Sequence, residues 1–213
     1  MTKKWQIYET NEHIQKQIEE LEKRENINPL LATILVNRNM TEPEKLRMFL
    51  HPTRKDFHDP FLMPDMKKAV DRIKKAIDNK EKVIIFGDYD ADGITSITVL
   101  KSFLQDNNLH VDYYIPNRLD EGYGLNKPAI KKIAENKYDL MITVDCGISG
   151  VEEVDYANEL GLETIITDHH EVAEELPRAL AIVDAKRKDN IFISGKNETR
   201  YRRDIRQMHN NSR

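Results

Sequence analysis

The chain has 213 residues, 39% hydrophobic and 33% charged, with a formal net charge of −4, which suits one α/β core with an appendage rather than two full domains. A single cysteine, Cys146, excludes an intrachain disulfide and points to a reducing setting. The start is polar and no run approaches the roughly 18 apolar residues of a membrane span, so a soluble, cytoplasmic protein without a membrane partner is expected.

Residues 11–24, 29–37 and 41–50 predict three short helices, the third opened by Thr41 as N-cap, Pro43 in the first turn and the acid Glu44. His51-Pro52 ends this helical preface, and the proline-punctuated stretch from Asp59-Pro60 to Pro64 reads as a linker. Met66, Ala69, Val70, Ile73, Ala76 and Ile77 then keep one helical face apolar while Lys67, Lys68, Asp71, Arg72, Lys74 and Lys75 keep the other wet. From there strands at 82–86, 110–116, 138–145, 163–168 and 179–184 are separated by helices at 94–106, 126–136 and 150–160, the last two strands following one another directly. Such alternation predicts an α/β fold: a parallel sheet with right-handed crossovers and helices on both faces. The expected divisions are a helical extension over 1–63, a core over 64–184 and a tail over 185–213. Residues 186–213 carry nine Lys/Arg against three acids, a basic end on an acidic body that by itself leaves a polyanion partner undecided.

Ligands of such sheets gather at the carboxyl ends of the strands. Those ends carry Asp88-Tyr89-Asp90-Ala91-Asp92, Asp145-Cys146-Gly147 and Asp168-His169-His170, three clusters expected to converge on one edge. A calcium loop fits poorly, because the twelfth position counted from Asp88 is Val99 and the segment follows a strand. Helix capping accounts for one aspartate, not three. Like charges crowded together oppose each other's ionisation, and no Lys or Arg lies within 83–98 or 140–177 to offset them. A divalent metal is the economical partner. Oxygen ligands from Asp90, Asp92 and Asp145 with an imidazole from His169 favour Mn²⁺ or Mg²⁺ over a thiolate-type zinc site. Two such metals sharing one carboxylate suit in-line displacement at a phosphoester. Thr95 and Ser96 serve either as caps or as substrate contacts, and Cys146 reads as a packing residue rather than a nucleophile.

Asp88-Tyr89-Asp90-Ala91-Asp92-Gly93, Val144-Asp145-Cys146-Gly147-Ile148 and Asp168-His169-His170 together resemble the first three motifs of the DHH phosphoesterase superfamily. Within it, Pro116-Asn117-Arg118 and Glu121-Gly122-Tyr123-Gly124-Leu125 resemble the branch of single-stranded-DNA exonucleases. The resemblance implies a bacterial enzyme of recombination and repair that degrades single-stranded DNA from the 5′ end with Mn²⁺ or Mg²⁺. It also implies roles: Asp90 on one metal, Asp92 and His169 on the other, Asp145 bridging both, His170 near the scissile phosphate, and Asp88 and Asp168 in support of the ligands. Arg118 would clasp a phosphate and Tyr123 stack a base; the open alternative is a folded surface loop with Arg118 paired to Asp120 or Glu121.

The family continues with a fourth motif supplying a further aspartate, then a DNA-gripping domain, whereas residues 191–203 here are basic and lack sheet or helix periodicity. The expectation drawn from this departure is a truncated, impaired copy with a weakened second metal, prone to aggregation through an unfinished sheet. A helicase or single-strand-binding partner would act through regions absent here. Two other readings stand beside the exonuclease: a DHH phosphoesterase acting on short oligonucleotides or cyclic dinucleotides, and a non-catalytic nucleic-acid-binding remnant.

Overall fold

The structure is a computed structural model that describes residues 11–117 and 121–190. Two compact units divide between His58 and Asp59. The first contains α1 (Glu12–Glu25), α2 (Pro29–Asn37) and α3 (Pro43–Leu50) around Ile18, Leu21, Ala32, Leu35, Val36 and Leu46. Asn11 and Asn28 cap the first two helices, their side chains accepting from the N–H groups of Ile14 and Leu31. The expected Thr41 cap of α3 is corrected: Glu42 holds the cap position and makes no side-chain cap bond. Pro43 sets the first helical φ without needing a donor partner, and the Thr41 carbonyl instead accepts from Arg24 Nη2 at 2.9 Å.

The second unit is a five-stranded, all-parallel sheet in the order β2-β1-β3-β4-β5, with β1 Lys82–Gly87, β2 His110–Tyr114, β3 Leu140–Val144, β4 Glu163–Asp168 and β5 Ala181–Asp184. Alternate residues of each strand bury on opposite faces. Val83, Ile85, Leu140, Ile142 and Ile165 pack under α4 (Met66–Asn79) and α5 (Ala91–Asp106). Ile84, Phe86, Met141 and Ile166 pack under α6 (Lys127–Glu135) and α7 (Val151–Glu159). Residues 59–63, read from sequence as a linker, group with this unit: Pro60–Leu62 form a 3₁₀ turn and Met63 packs against the first of these cores.

At the amino-terminal edge of the sheet Arg72 of α4, 7% exposed, reaches Glu163 through Nε and Glu81 through Nη2, both at 2.7 Å. Arg72 Nη1 is buried without a hydrogen-bond partner. At the flank of β5, the Ile182 N–H donates to Asp65 Oδ2 at 3.2 Å and the Ile182 carbonyl accepts from Arg187 Nη1 at 2.6 Å. Arg187 is in turn paired with Asp65 at 2.7 Å. This clasp occupies main-chain groups that an edge strand otherwise offers to a neighbour.

Candidate metal centre

Strand order reverses at β1, whose neighbours are β2 on one side and β3 on the other. Crevices form at such reversals, outside the carboxyl ends of the strands, and the sequence places Asp88 and Asp90 after β1 and Asp145 after β3. Helix α5 begins at Ala91, three residues earlier than the periodicity predicts, because Asp90 is its N-cap. Asp90 Oδ1 accepts from Asp92 N at 2.8 Å and Gly93 N at 3.1 Å. A glycine is required at 93, since a Cβ there would lie 2.3 Å from the carbonyl oxygen of Asp88. The tight first turn of α5 therefore folds back onto the strand end that carries Asp88.

The turn after β3 is held with equal economy. Asp145 sits at φ +59, in the left-handed region uncommon for a residue with a side chain. Its N–H donates to Thr167 O at 3.1 Å, Thr143 Oγ1 donates to Cys146 O at 2.8 Å, and Thr167 Oγ1 donates to Thr143 O at 2.7 Å. Asp168 then ties this turn to the end of β4. Its Oδ2 accepts from Ile148 N at 2.9 Å, while Oδ1 takes His169 N at 2.7 Å, His170 N at 3.2 Å and faces His170 Nδ1 at 2.7 Å.

Two groups of candidate ligand atoms result, each with all its atoms within 4.8 Å of one another: Asp88, Asp90 and Asp145, and Asp145, His169 and His170. Asp145 belongs to both. His169 Nε2 lies 2.8 Å from Asp145 Oδ1. Asp92 falls in neither group; it is exposed and lines a cleft of about 460 Å³ together with Ser96, Asp145, Asp168 and His169. Asp88, read from sequence as a supporting residue, stands among the ligand candidates instead. It is 3% exposed, and its buried Oδ1 has no hydrogen-bond partner. A buried carboxylate oxygen left bare beside two other carboxylates has the donor set of a hard divalent cation, so the residues present fit such an ion.

The electrostatics run the same way. Backbone donation from Gly93 holds Asp90 below the usual carboxylate range against the opposing effect of burial. Burial pushes Asp145 up, and the Asp90 charge adds to this while the His169 contact opposes it. The hydrogen bond that His170 donates to Asp168 raises it above the ordinary imidazole value, against desolvation. Burial pushes the Cys146 thiol up, which agrees with its reading as a packing residue.

Of the proposed substrate residues, Arg118 lies outside the described residues, as does Asp120, one of its two alternative partners. Tyr123 comes to the centre: its hydroxyl is 3.3 Å from His170 Nε2 and 3.4 Å from the Asp145 carbonyl oxygen. Glu121, the other alternative partner, accepts from the Tyr114 hydroxyl at 2.9 Å. The Thr95 hydroxyl donates to Ala91 O at 2.7 Å inside the helix, so it caps no free N–H. Sequence reasoning did not anticipate the buried Asp184 beside Asp168, whose Oδ2 lacks a hydrogen-bond partner; its position at the end of β5 was the available signal.

A parallel α/β sheet with acidic and imidazole groups gathered at its switch point defines the class, and residues 82–195 match the DHH family, N-terminal domain. The chain belongs to that family. It is 48% identical over 183 residues to the single-stranded-DNA-specific exonuclease RecJ of Bacillus subtilis (strain 168), covering 86% of this chain and 23% of that protein. Among solved structures, exonuclease RecJ bound to manganese superposes with a TM-score of 0.56 at 33% identity, over 60% of this chain and 32% of that one. RecJ of Thermus thermophilus in complex with Mn²⁺ gives 0.59 at 26% identity, over 83% and 24%. The chain thus spans about a quarter of the length of the curated relative it matches at 48% identity. Among the described residues no helix is long and apolar enough to cross a membrane.

Proposed function

We propose that this chain carries the metal-binding catalytic core of a 5′→3′ exonuclease acting on single-stranded DNA. The observation that carries the reading is the sharing of Asp145 between two ligand groups at the switch point of the sheet. Asp88, Asp90 and Asp145 would hold one ion, and Asp145, His169 and His170 the other. Asp92 would join the second by turning its exposed carboxyl toward the cleft it lines. Mn²⁺, named with the similar structures, would act there as a Lewis acid toward a phosphoryl oxygen and lower the pKa of a water. The protein's own share is positional. Asp168 fixes the His170 imidazole through Nδ1, and the Thr143 and Thr167 hydroxyls hold the strained Asp145 turn. Arg118 would engage the backbone of the strand. The setting is cytoplasmic, and a helicase or single-strand-binding protein would deliver the substrate.

The test is a 3′-labelled single strand incubated with the chain and Mn²⁺. The expected result is stepwise shortening from the 5′ end, abolished by chelation and by Asp145→Ala, with the matching duplex spared. An intact labelled strand, or cleavage restricted to dinucleotides, would overturn the reading.

A further inference from the structure

We infer that Lys186 is a phosphate-binding residue beside the metal centre, held by Glu171 until a DNA strand takes the place of that carboxylate. The inference rests on the exonuclease reading above and adds a substrate contact to it. The segments that build the centre, 83–98 and 140–177, are rich in aspartate and hold no Lys or Arg. Bound dications offset part of that charge, but every nucleotide of an incoming strand brings a further negative charge, and a side-chain cation at the rim lowers the repulsion. Sequence order placed Lys186 in a basic tail. The structure places it directly after β5, at the carboxyl edge where Asp184 is the cross-strand neighbour of Asp168.

The backbone is fixed on both sides of this residue. The Lys186 N–H donates to Oδ1 of the buried Asp184 at 2.7 Å, and the Ala185 carbonyl accepts from the Asn190 side chain at 2.7 Å. Arg187 is drawn inward by Asp65 and the Ile182 carbonyl. Ala185 lines the cleft that also holds Asp92, Asp145 and His169. With Asp184 and Arg187 turned inward, the Lys186 side chain runs along the rim, where Nζ meets Glu171 Oε1 at 3.0 Å. Glu171 directly follows the His169-His170 pair. His170 is raised chiefly by its hydrogen bond to Asp168, and the Lys186 charge works against this, so the ammonium stands within electrostatic reach of that ring. The tie to Glu171 is weak, since the carboxylate is 87% exposed and the ammonium 43%, and ion pairs so open to water contribute little. A phosphate oxygen that reaches Nζ replaces the carboxylate with no loss of a charge-assisted bond.

Lys186→Gln removes the charge and keeps the main-chain bonds, Lys186→Arg keeps the charge, and Lys131→Gln makes the same charge change in an exposed pair on α6. The probe is a fluorescent oligodeoxythymidylate with phosphorothioate linkages that resist cleavage, bound by the Mn²⁺-loaded chain over a range of salt. Lys186→Gln should weaken binding several-fold and lower the slope of log affinity against log salt by about 0.7, the share of one phosphate contact to a single strand. Melting temperature and Mn²⁺ affinity should stay as in the wild type. Lys186→Arg should restore the slope, and Lys131→Gln should leave it unchanged. With Glu171→Gln already in place, Lys186→Gln should cost at least as much. Equal slopes in wild type and Lys186→Gln, a loss that vanishes when Glu171 is also replaced, or a fall in melting temperature or Mn²⁺ affinity that accounts for the weaker binding would overturn the inference and leave the pair a loop tie. So would a wild type that does not bind the probe. A wild type that binds it but shortens no unmodified strand would sink the exonuclease reading alone, since the slopes still decide Lys186.

Discussion

Replacing Asp168 by asparagine keeps the shape of the side chain and removes its charge and one acceptor. The carboxylate takes Ile148 N on one oxygen and His169 N, His170 N and His170 Nδ1 around the other. The least costly amide orientation keeps its oxygen among the three donors and turns its NH₂ toward Ile148 N, where donor meets donor. Leaving the buried Ile148 N–H without its charged acceptor costs about 1.5–3 kcal/mol. The three remaining bonds lose their charge assistance as well. A total near 3 kcal/mol corresponds to a drop of roughly 10 °C in melting temperature for a unit of this size. Because the same side chain ties the Asp145 turn to the His170 ring, Mn²⁺ affinity should fall about 10- to 100-fold. The His170 value is raised in the fold mainly by its hydrogen bond to Asp168, against burial. Stability from that pair is therefore fully present below the ordinary imidazole value of about 6.5 and fades as pH climbs through the raised one. Calorimetric melting of the metal-free wild type and Asp168→Asn across neutral pH, with Mn²⁺ titration of each, gives all three readouts. A variant melting within a few degrees of wild type and binding Mn²⁺ equally well would refute the assignment of Asp168 as the tie between the two strand ends.

Arg72→Ala should destabilise the sheet unit by about 1.5–3 kcal/mol, because it removes a buried guanidinium paired with Glu81 and Glu163; Arg72→Met combined with Glu81→Leu should recover part of the loss, as denaturant titration would show. Gly93→Ala forces a Cβ to within 2.3 Å of the Asp88 carbonyl oxygen, so the first turn of α5 must shift. A loss of at least about 2 kcal/mol with weaker Mn²⁺ binding is expected by thermal melting and titration, and an unperturbed variant would contradict the close approach. Mn²⁺ at about 100 times its Kd should stabilise the wild type by roughly 2.7 kcal/mol, an effect absent in Asp145→Ala. Burial and the Asp90 charge raise Asp145, so protons should compete with Mn²⁺ beginning above the usual carboxylate range on acidification, detectable as proton release in buffers of differing ionisation enthalpy.

The sheet was legible because its strands are short apolar runs such as Val83-Ile84-Ile85-Phe86, ended by acids and separated by amphipathic helices. The convergence of Asp90, Asp145 and His169 followed from parallel topology alone. What stayed hidden was set by backbone detail. No periodicity announces that Asp90 caps α5 and draws Asp92 and Gly93 into the helix, so the predicted start fell three residues late. The same close turn buries Asp88 with a bare oxygen and brings it into a group of candidate ligands, a feature of backbone geometry that the motif alone does not carry. The approach of Tyr123 to His170 brings a loop after β2 to the end of β4, a long-range arrangement that local sequence does not encode. Thr41 misled for a simpler reason: Pro43 fixes the helix start and leaves the threonine outside it.

The Asp65–Arg187 clasp at Ile182 bears on how any neighbour could approach this side of the molecule. With the Ile182 amide and carbonyl already spoken for, a β-ribbon from another polypeptide has nowhere to register there without first evicting an ion pair. Growth of the sheet beyond β5 is therefore discouraged at this residue.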